Sequence, residues 1–192
     1  GLPAATIAAA NLRIDSETFL TTLLKEEGRL VGRLDARVTG PVPKDVPKGR
    51  TGAMNDPALG LGRTNVIRSA AITEYMREQL RVPATHEYVS LTLDVNFLWD
   101  WRGDDRGPFG APNPTPHIAE YLRAQPAARL LVVGGIYDLA TPVLGVRYAI
   151  THAGIPLERV VWARLEAGHS PFDGETGLAR MNEIFREFLR AP

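Results

Sequence analysis

The sequence predicts an α/β fold built around its C-terminal part. Residues 130–133 form a continuous apolar run that ends at two glycines, as is typical of a strand buried on both faces of a parallel sheet. A second apolar strand is predicted over residues 160–165, and the intervening segment has room for the helix that parallel strands need as a connection. Apolar residues at helical spacing over 178–189 predict a last helix that covers the sheet.

The N-terminal part is predicted to begin with a helix and to continue as a strand. Asp15 has the position of an N-cap before an apolar helical stripe. Residues 30–38 alternate with a period of two, which predicts a half-exposed strand with Arg33, Asp35 and Arg37 on one side. The arginines could clamp a substrate carboxylate, although a solvated strand face is the favoured interpretation.

The middle of the chain is predicted to contain a loop, a helix and a short strand. Residues 41–62 are rich in proline and glycine, which predicts a mobile loop. Helical spacing returns over residues 65–80, and alternation over 89–93 predicts a strand. Trp99 and Trp101 could line a pocket for a substrate side chain, but packing of this segment is the favoured interpretation.

Two helices are predicted to begin with the same pair of residues. Thr115-Pro116 and Thr141-Pro142 each combine a threonine, whose oxygen can cap a helix, with a proline suited to the first helical position. The second helix is expected to run to about residue 153 and to connect the two parallel strands.

Composition excludes several classes of function. Lys and Arg together number 22, as do Asp and Glu, so no net charge attracts the chain to nucleic acid or to a membrane surface. The absence of cysteine excludes disulfides, thiolate nucleophiles and thiolate metal ligands. No apolar stretch approaches the roughly 18 residues of a membrane span. The chain begins with Gly1, and we expect a processed chain or a fragment.

Asp138 and His169 are the two candidate catalytic residues. Each follows one of the two predicted parallel strands. Polar residues beyond the carboxyl ends of strands line the ligand crevice of an open α/β sheet, so both side chains are expected at one place. An acid after the penultimate strand and a base after the last strand is the chain order of the α/β-hydrolase triad. The expected fold is therefore the C-terminal part of an α/β-hydrolase with a mostly helical insertion.

The motifs that carry these residues also resemble a known family. GIYDLATP around Asp138, followed by EAGH at His169, is similar to the C-terminal catalytic portion of serine carboxypeptidases, in their bacterial carboxypeptidase-like branch. RLDARVTGP at residues 33–41 and VNFLWDW at 95–101 resemble the same branch. The likeness implies an insertion or cap over residues 1–114 and hydrolase core over 115–192. It also implies a secreted or periplasmic protein.

A nucleophilic serine is the missing part of the triad. The chain has four serines, Ser16, Ser69, Ser90 and Ser170, and none lies in a G-x-S-x-G turn. The resemblance implies that an N-terminal part of the same protein supplies the serine, the oxyanion donors and the groups that bind the terminal carboxylate of a peptide substrate. Ser170 also replaces the methionine that usually follows the histidine in the family.

Other interpretations of these residues remain open. Asp138 could cap the next helix, although Thr141 is expected to fill that position. A metal site from Asp138, His152 and His169 is conceivable, but the helix separates His152 from the acid; no metal and no cofactor is predicted. The glycine pair at 134–135 lacks the full G-x-G-x-x-G of a phosphate loop. The chain could also be a hydrolase remnant that serves as a non-enzymatic interaction module.

Overall fold

The computed structural model describes residues 1–42, 56–59, 66–83, 85–92, 94–100 and 113–191. These residues fall into two compact units, one from 1–59 and 113–192 and the other from 60–112. The helices and strands of the described residues are, in chain order, α1 (Ala4–Ala9), α2 (Ser16–Thr22), β1 (Arg29–Val31), β2 (Thr39–Pro41), β3 (Val66–Ser69), α3 (Ala70–Glu78), β4 (Tyr88–Thr92), α4 (Asp94–Leu98), α5 (Thr115–Ala124), β5 (Leu130–Gly135), α6 (Val143–Thr151), β6 (Val160–Leu165) and α7 (Gly174–Arg190).

Strands β5 and β6 form the parallel pair that the sequence predicts. They pair in register from Leu130 opposite Val160 to Gly135 opposite Leu165, and α6 connects them. The predicted parallel pair with its helical crossover is thus confirmed, as is the amphipathic helix α7. Because the pairing is in register, both strands end at the same edge of the sheet.

Helices α5 and α6 pack against this pair of strands through a small apolar core. Its buried members are Ala119, Leu122, Ile150 and Ile155. Leu130 and Val132 of β5 pack against them, as does Val160 of β6. Helix α7 buries Met181 and Ile184. The side chain of Arg129, the residue before β5, stacks on the Phe188 ring, 4.5 Å from its centroid, and donates to the Phe188 carbonyl.

The prediction that β5 is buried on both faces is wrong for the described residues. Five of its six residues are partly exposed, and Gly135 alone is buried. The reason is that every sheet in the described part of the chain has only two strands, so β5 has one hydrogen-bonded neighbour there. Two-stranded sheets do not define a fold family, and the α/β-hydrolase class stays a prediction.

The predicted strand over residues 30–38 is instead a hairpin. Strands β1 and β2 pair antiparallel, and the amide of Gly32 donates to the carbonyl of Val38 across the bend. Asp35 makes the turn, because its carboxylate accepts the amide of Arg37 at 2.9 Å. The alternation of apolar and polar residues continues through the bend, so this pattern alone does not distinguish a hairpin from one long strand.

The unit from 60–112 contains a second antiparallel pair. The predicted helix over 65–80 is wrong in its first turn, since Val66–Ser69 forms β3, paired with β4. Ser69 ends this strand and caps α3, and its hydroxyl oxygen accepts the amide of Ile72. The strand predicted near 89–93 is confirmed as β4, which begins at Tyr88.

Some expectations fall outside the described residues. They include most of the loop predicted over 41–62, and Trp101 of the tryptophan pair. The division at residue 114 stays a prediction, although residues 1–59 and 113–192 share a unit in this chain. Among the described helices, none has the length and apolar character to cross a bilayer.

Candidate active site

Asp138 lies in the turn that follows β5. Its amide donates to the carbonyl of Gly135 at 3.3 Å, and its Oδ1 accepts the amides of Ala140 and Thr141 at 2.8 and 3.0 Å. This is the side-chain-to-backbone bonding of an Asx turn. The side chain is only 5% exposed. The local sequence thus holds a buried carboxylate in one orientation before α6 begins.

His169 lies in the corresponding loop after β6. Its amide donates to the carbonyl of Leu34 at 2.7 Å, which ties the loop to the β1–β2 hairpin. Its Nδ1 is 2.9 Å from Oδ2 of Asp138. The imidazole is 48% exposed, whereas the carboxylate partner is buried. The acid and the base that the sequence selects are therefore in direct contact, and the histidine presents the open side of the pair.

Thr141 does not fill the position that the sequence predicts for it. Helix α6 begins at Val143 with Pro142 as the N-cap and without a side-chain cap. The Thr141 hydroxyl instead donates to Oδ2 of Asp138, and its oxygen is 3.4 Å from Nδ1 of His169. Sequence reasoning therefore missed a third polar member of the site. The D-x-x-T spacing, typical of a local side-chain turn, was the available signal.

The electrostatics of Asp138 favour its charged form. Burial by itself would raise the pKa of this carboxyl group. The hydroxyl and amide of Thr141, the imidazole of His169 and the amide of Ala140 all donate to it, and together they hold the pKa of Asp138 below its usual value. A buried carboxylate with four donors can stabilise a positive charge on the adjacent imidazole.

Two glycines permit the close approach of the loops that carry the pair. A Cβ atom on Gly135 would lie 2.1 Å from the carbonyl oxygen of Gly168. A Cβ atom on Gly168 would lie 2.6 Å from the carbonyl oxygen of Leu34. The amide of Tyr137 also donates to the carbonyl of Ala167 at 3.1 Å. Neither glycine position therefore has room for a side chain, and the loops are joined directly through their backbones.

The bend of the β1–β2 hairpin contacts both loops. The carbonyl of Arg33 accepts the amide of Leu139 at 2.9 Å, and the amide of Ala36 donates to the carbonyl of Tyr137 at 2.9 Å. Asp56 is buried, and its carboxylate accepts the amide of Leu34 at 3.0 Å. Sequence analysis missed this role, because contacts between residues so distant along the chain leave no periodic signal.

Arg37 connects the same two loops through its side chain. Its guanidinium lies over the Tyr137 ring, 4.7 Å from the centroid, and donates to the carbonyl of Glu166 at 3.0 Å. Two further bonds to Asp35, at 2.9 and 2.6 Å, hold the guanidinium in place. The predicted strand is therefore wrong at Arg33, Asp35 and Arg37, which lie in the hairpin bend, although Arg37 is exposed as the prediction requires. Asp35 and Arg37 line a cavity of about 370 Å³ beside the site.

Comparison with family models, curated proteins and solved structures finds no match to this chain. The serine carboxypeptidase resemblance accordingly stays an expectation from the motifs around Asp138 and His169.

Ser170, the serine next to His169, is not placed as the nucleophile of the pair. Ser170 follows His169, but its hydroxyl donates to the carboxylate of Asp173 at 2.7 Å. Thr141 lies on the Nδ1 side of the imidazole, which the carboxylate already occupies. Asp138 and His169 thus supply a general base and the carboxylate that orients it.

The remaining histidines have other surroundings. His152 stacks on Tyr148 with ring centroids 3.9 Å apart, and its Nδ1 is 2.8 Å from the Tyr148 carbonyl. His117 lies 3.9 Å from Glu120 on the exposed surface of α5. In the part of the chain that the structure describes, no group of three or more His, Asp or Glu residues is arranged to hold a metal ion.

Proposed function

We propose that Asp138 and His169 are the acid and the base of a serine-type hydrolase. The observation that carries the proposal is the 2.9 Å contact between the buried Oδ2 of Asp138 and Nδ1 of the half-exposed His169. A carboxylate can only accept, so Nδ1 carries the proton and Nε2 keeps its lone pair. Nε2 is then the atom that removes a proton from a nucleophile.

Each residue has a distinct role in this mechanism. His169 takes the proton from a serine hydroxyl as the serine attacks the substrate carbonyl, and it later returns the proton to the leaving group. Asp138 fixes the tautomer and stabilises the imidazolium that forms. Its lowered pKa keeps the carboxylate of Asp138 charged at neutral pH.

The family resemblance supplies the rest of the proposal. The serine and the oxyanion donors come from an N-terminal part of the same protein, and residues 115–192 contribute the last strands of the core. The substrate is a peptide with a free C-terminus, from which one residue is released through an acyl-enzyme. A small ester could react by the same steps, so the experiment includes both substrates. A secreted or periplasmic location follows from the same resemblance.

The test compares His169→Ala with His152→Ala in the complete protein. His169→Ala should lower kcat by about 10⁴-fold or more on a C-terminally free peptide and on a small ester, because the general base is lost. His152→Ala is the matched control, since that imidazole packs on Tyr148 and leaves Asp138 untouched. Near-normal turnover by His169→Ala would refute the assignment.

A non-enzymatic interaction module is the second candidate. It is favoured by the large apolar side chains that are exposed on the helices beside the site, among them Leu144 and Tyr148 on α6. A fluorophosphonate probe separates the two candidates, because it reacts with an activated serine. Labelling that disappears in His169→Ala supports the hydrolase, and a folded complete protein that never labels supports the module.

A further inference from the structure

Thr141 and His169 both contact the same carboxylate oxygen of Asp138. Its hydroxyl donates to Oδ2 of Asp138, the same oxygen that faces Nδ1 of His169. Oδ1 is used differently, because it accepts the backbone amides of Ala140 and Thr141. The two carboxylate oxygens are therefore held by separate sets of donors, and Thr141 contributes to both sets.

The threonine hydroxyl has no competing task in the described structure. Helix α6 begins without a side-chain cap, so the hydroxyl is not needed to start the helix. Its distance to Nδ1 is 3.4 Å, which is long for a hydrogen bond, whereas its bond to Oδ2 is short. The hydroxyl therefore donates its proton to Oδ2, and Nδ1 of His169 donates its own proton to the same oxygen.

We propose that Thr141 is a positioning residue that holds Oδ2 of Asp138 toward His169 and so selects the productive tautomer of the imidazole. The inference rests on the proposed function for its catalytic consequence. The amides restrain the carboxylate through Oδ1 alone, because rotation about the Cβ–Cγ bond moves Oδ1 away from them. The hydroxyl fixes the second oxygen, and rotation then breaks a bond at each end.

The test uses Thr141→Val, which replaces the hydroxyl by a methyl group of similar size and keeps the backbone amide. Thr141→Ser restores the hydroxyl without the methyl group. We expect Thr141→Val to lower kcat about tenfold with little change in KM, because a hydrogen bond to a charged group is lost while substrate contacts remain. Thr141→Ser should return kcat to within about twofold of the parent value.

A second readout does not depend on turnover. The ¹⁵N shifts of the His169 ring report which nitrogen carries the proton, and they should indicate the Nδ1–H tautomer in the parent protein and in Thr141→Ser. In Thr141→Val we expect a mixture of tautomers. Thr151→Val is the matched control, because Thr151 also lies beside a histidine, 3.1 Å from Nδ1 of His152, and donates to the carbonyl of Arg147.

The outcomes separate this inference from the proposed function. Unchanged ring shifts and unchanged kcat in Thr141→Val would overturn the positioning role, even if His169→Ala were inactive. Altered ring shifts in a protein that shows no hydrolysis would support the positioning role and refute the hydrolase. If Thr141→Val does not fold, Thr141→Ala removes the same hydroxyl without a methyl group at that position and is held to the same two outcomes.

Discussion

At the scale of the residue, the carboxylate of Asp138 has two structural roles. Asp138 organises the turn before α6 through Oδ1, and it contacts His169 through Oδ2. The structural and catalytic interpretations of this residue are therefore not alternatives. Since the side chain is buried and accepts four donors, its charge contributes to the stability of the fold as well as to the orientation of the imidazole.

The lowered pKa of Asp138 predicts how stability depends on pH. Because the folded-state pKa lies below the unfolded value, the stabilisation is complete above the unfolded value of about 4 and is lost as the pH falls through the folded-state pKa. Asp138→Asn lacks this titration. The difference in unfolding free energy between the parent protein and Asp138→Asn, measured with urea, should shrink as the pH falls from 4 to 2. A difference that stays constant to pH 2 would contradict the assigned shift.

At the scale of the element, the β1–β2 hairpin acts as a brace for the site. Its bend contacts the loop of Asp138 through Arg33 and Ala36, and the loop of His169 through Leu34. The two loops that carry the acid and the base are thus both bonded to an element more than a hundred residues away along the chain. A helix–strand unit that contained only β5, α6 and β6 would lack these bonds.

Arg37 provides the most direct test of this brace. In the complete protein, Arg37→Ala removes the stack on Tyr137 and the bond to the Glu166 carbonyl, so both loops gain freedom. We expect kcat to fall about tenfold with KM nearly constant. Arg37→Lys should restore little, because an ammonium lacks the planar fork that meets Asp35 and stacks on the ring. Arg123→Ala is the control, since Arg123 on α5 donates to the carbonyl of Gly154 at 3.5 Å and does not line the cavity beside the site. Equal kcat values for Arg37→Ala and Arg123→Ala would exclude the brace.

At the scale of the whole molecule, the compact unit from 1–59 and 113–192 exposes much apolar surface. Strands β5 and β6 pair only with each other in the described residues, so each has an open edge. Large apolar side chains are also exposed beside them, namely Val161, Trp162, Leu144, Tyr148, Phe185 and Leu189. Open edges and exposed apolar patches of this kind favour association with another chain or segment.

We therefore expect the 192-residue chain to self-associate when it is produced alone. Co-production with an N-terminal part that carries the proposed serine should give a soluble complex, because added strands and helices would cover these edges and side chains. Light scattering coupled to size exclusion measures both states. A monodisperse monomer of the isolated chain that unfolds cooperatively would contradict the prediction.

The sequence predicts those parts of the fold that depend on patterns of neighbouring residues. Apolar runs and helical spacing indicate β5, β6 and α7, and the residues after the two strands identify Asp138 and His169. The errors occur where a local pattern has more than one solution. Alternation over 30–38 continues through a hairpin bend, and Thr141 has the residue type of a cap while its hydroxyl bonds to a carboxylate three residues earlier.

By itself, the sequence determined which residues could act as acid and base and that parallel strands would bring them to one edge. Only the tertiary structure decided that Oδ2 of Asp138 meets Nδ1 of His169 at 2.9 Å, that Thr141 donates to the same oxygen, and that the hairpin bend joins both loops. The physical reason is that periodicity reports burial within one element. A hydrogen bond between elements depends on the relative positions of both backbones, which are set by packing between residues far apart along the chain.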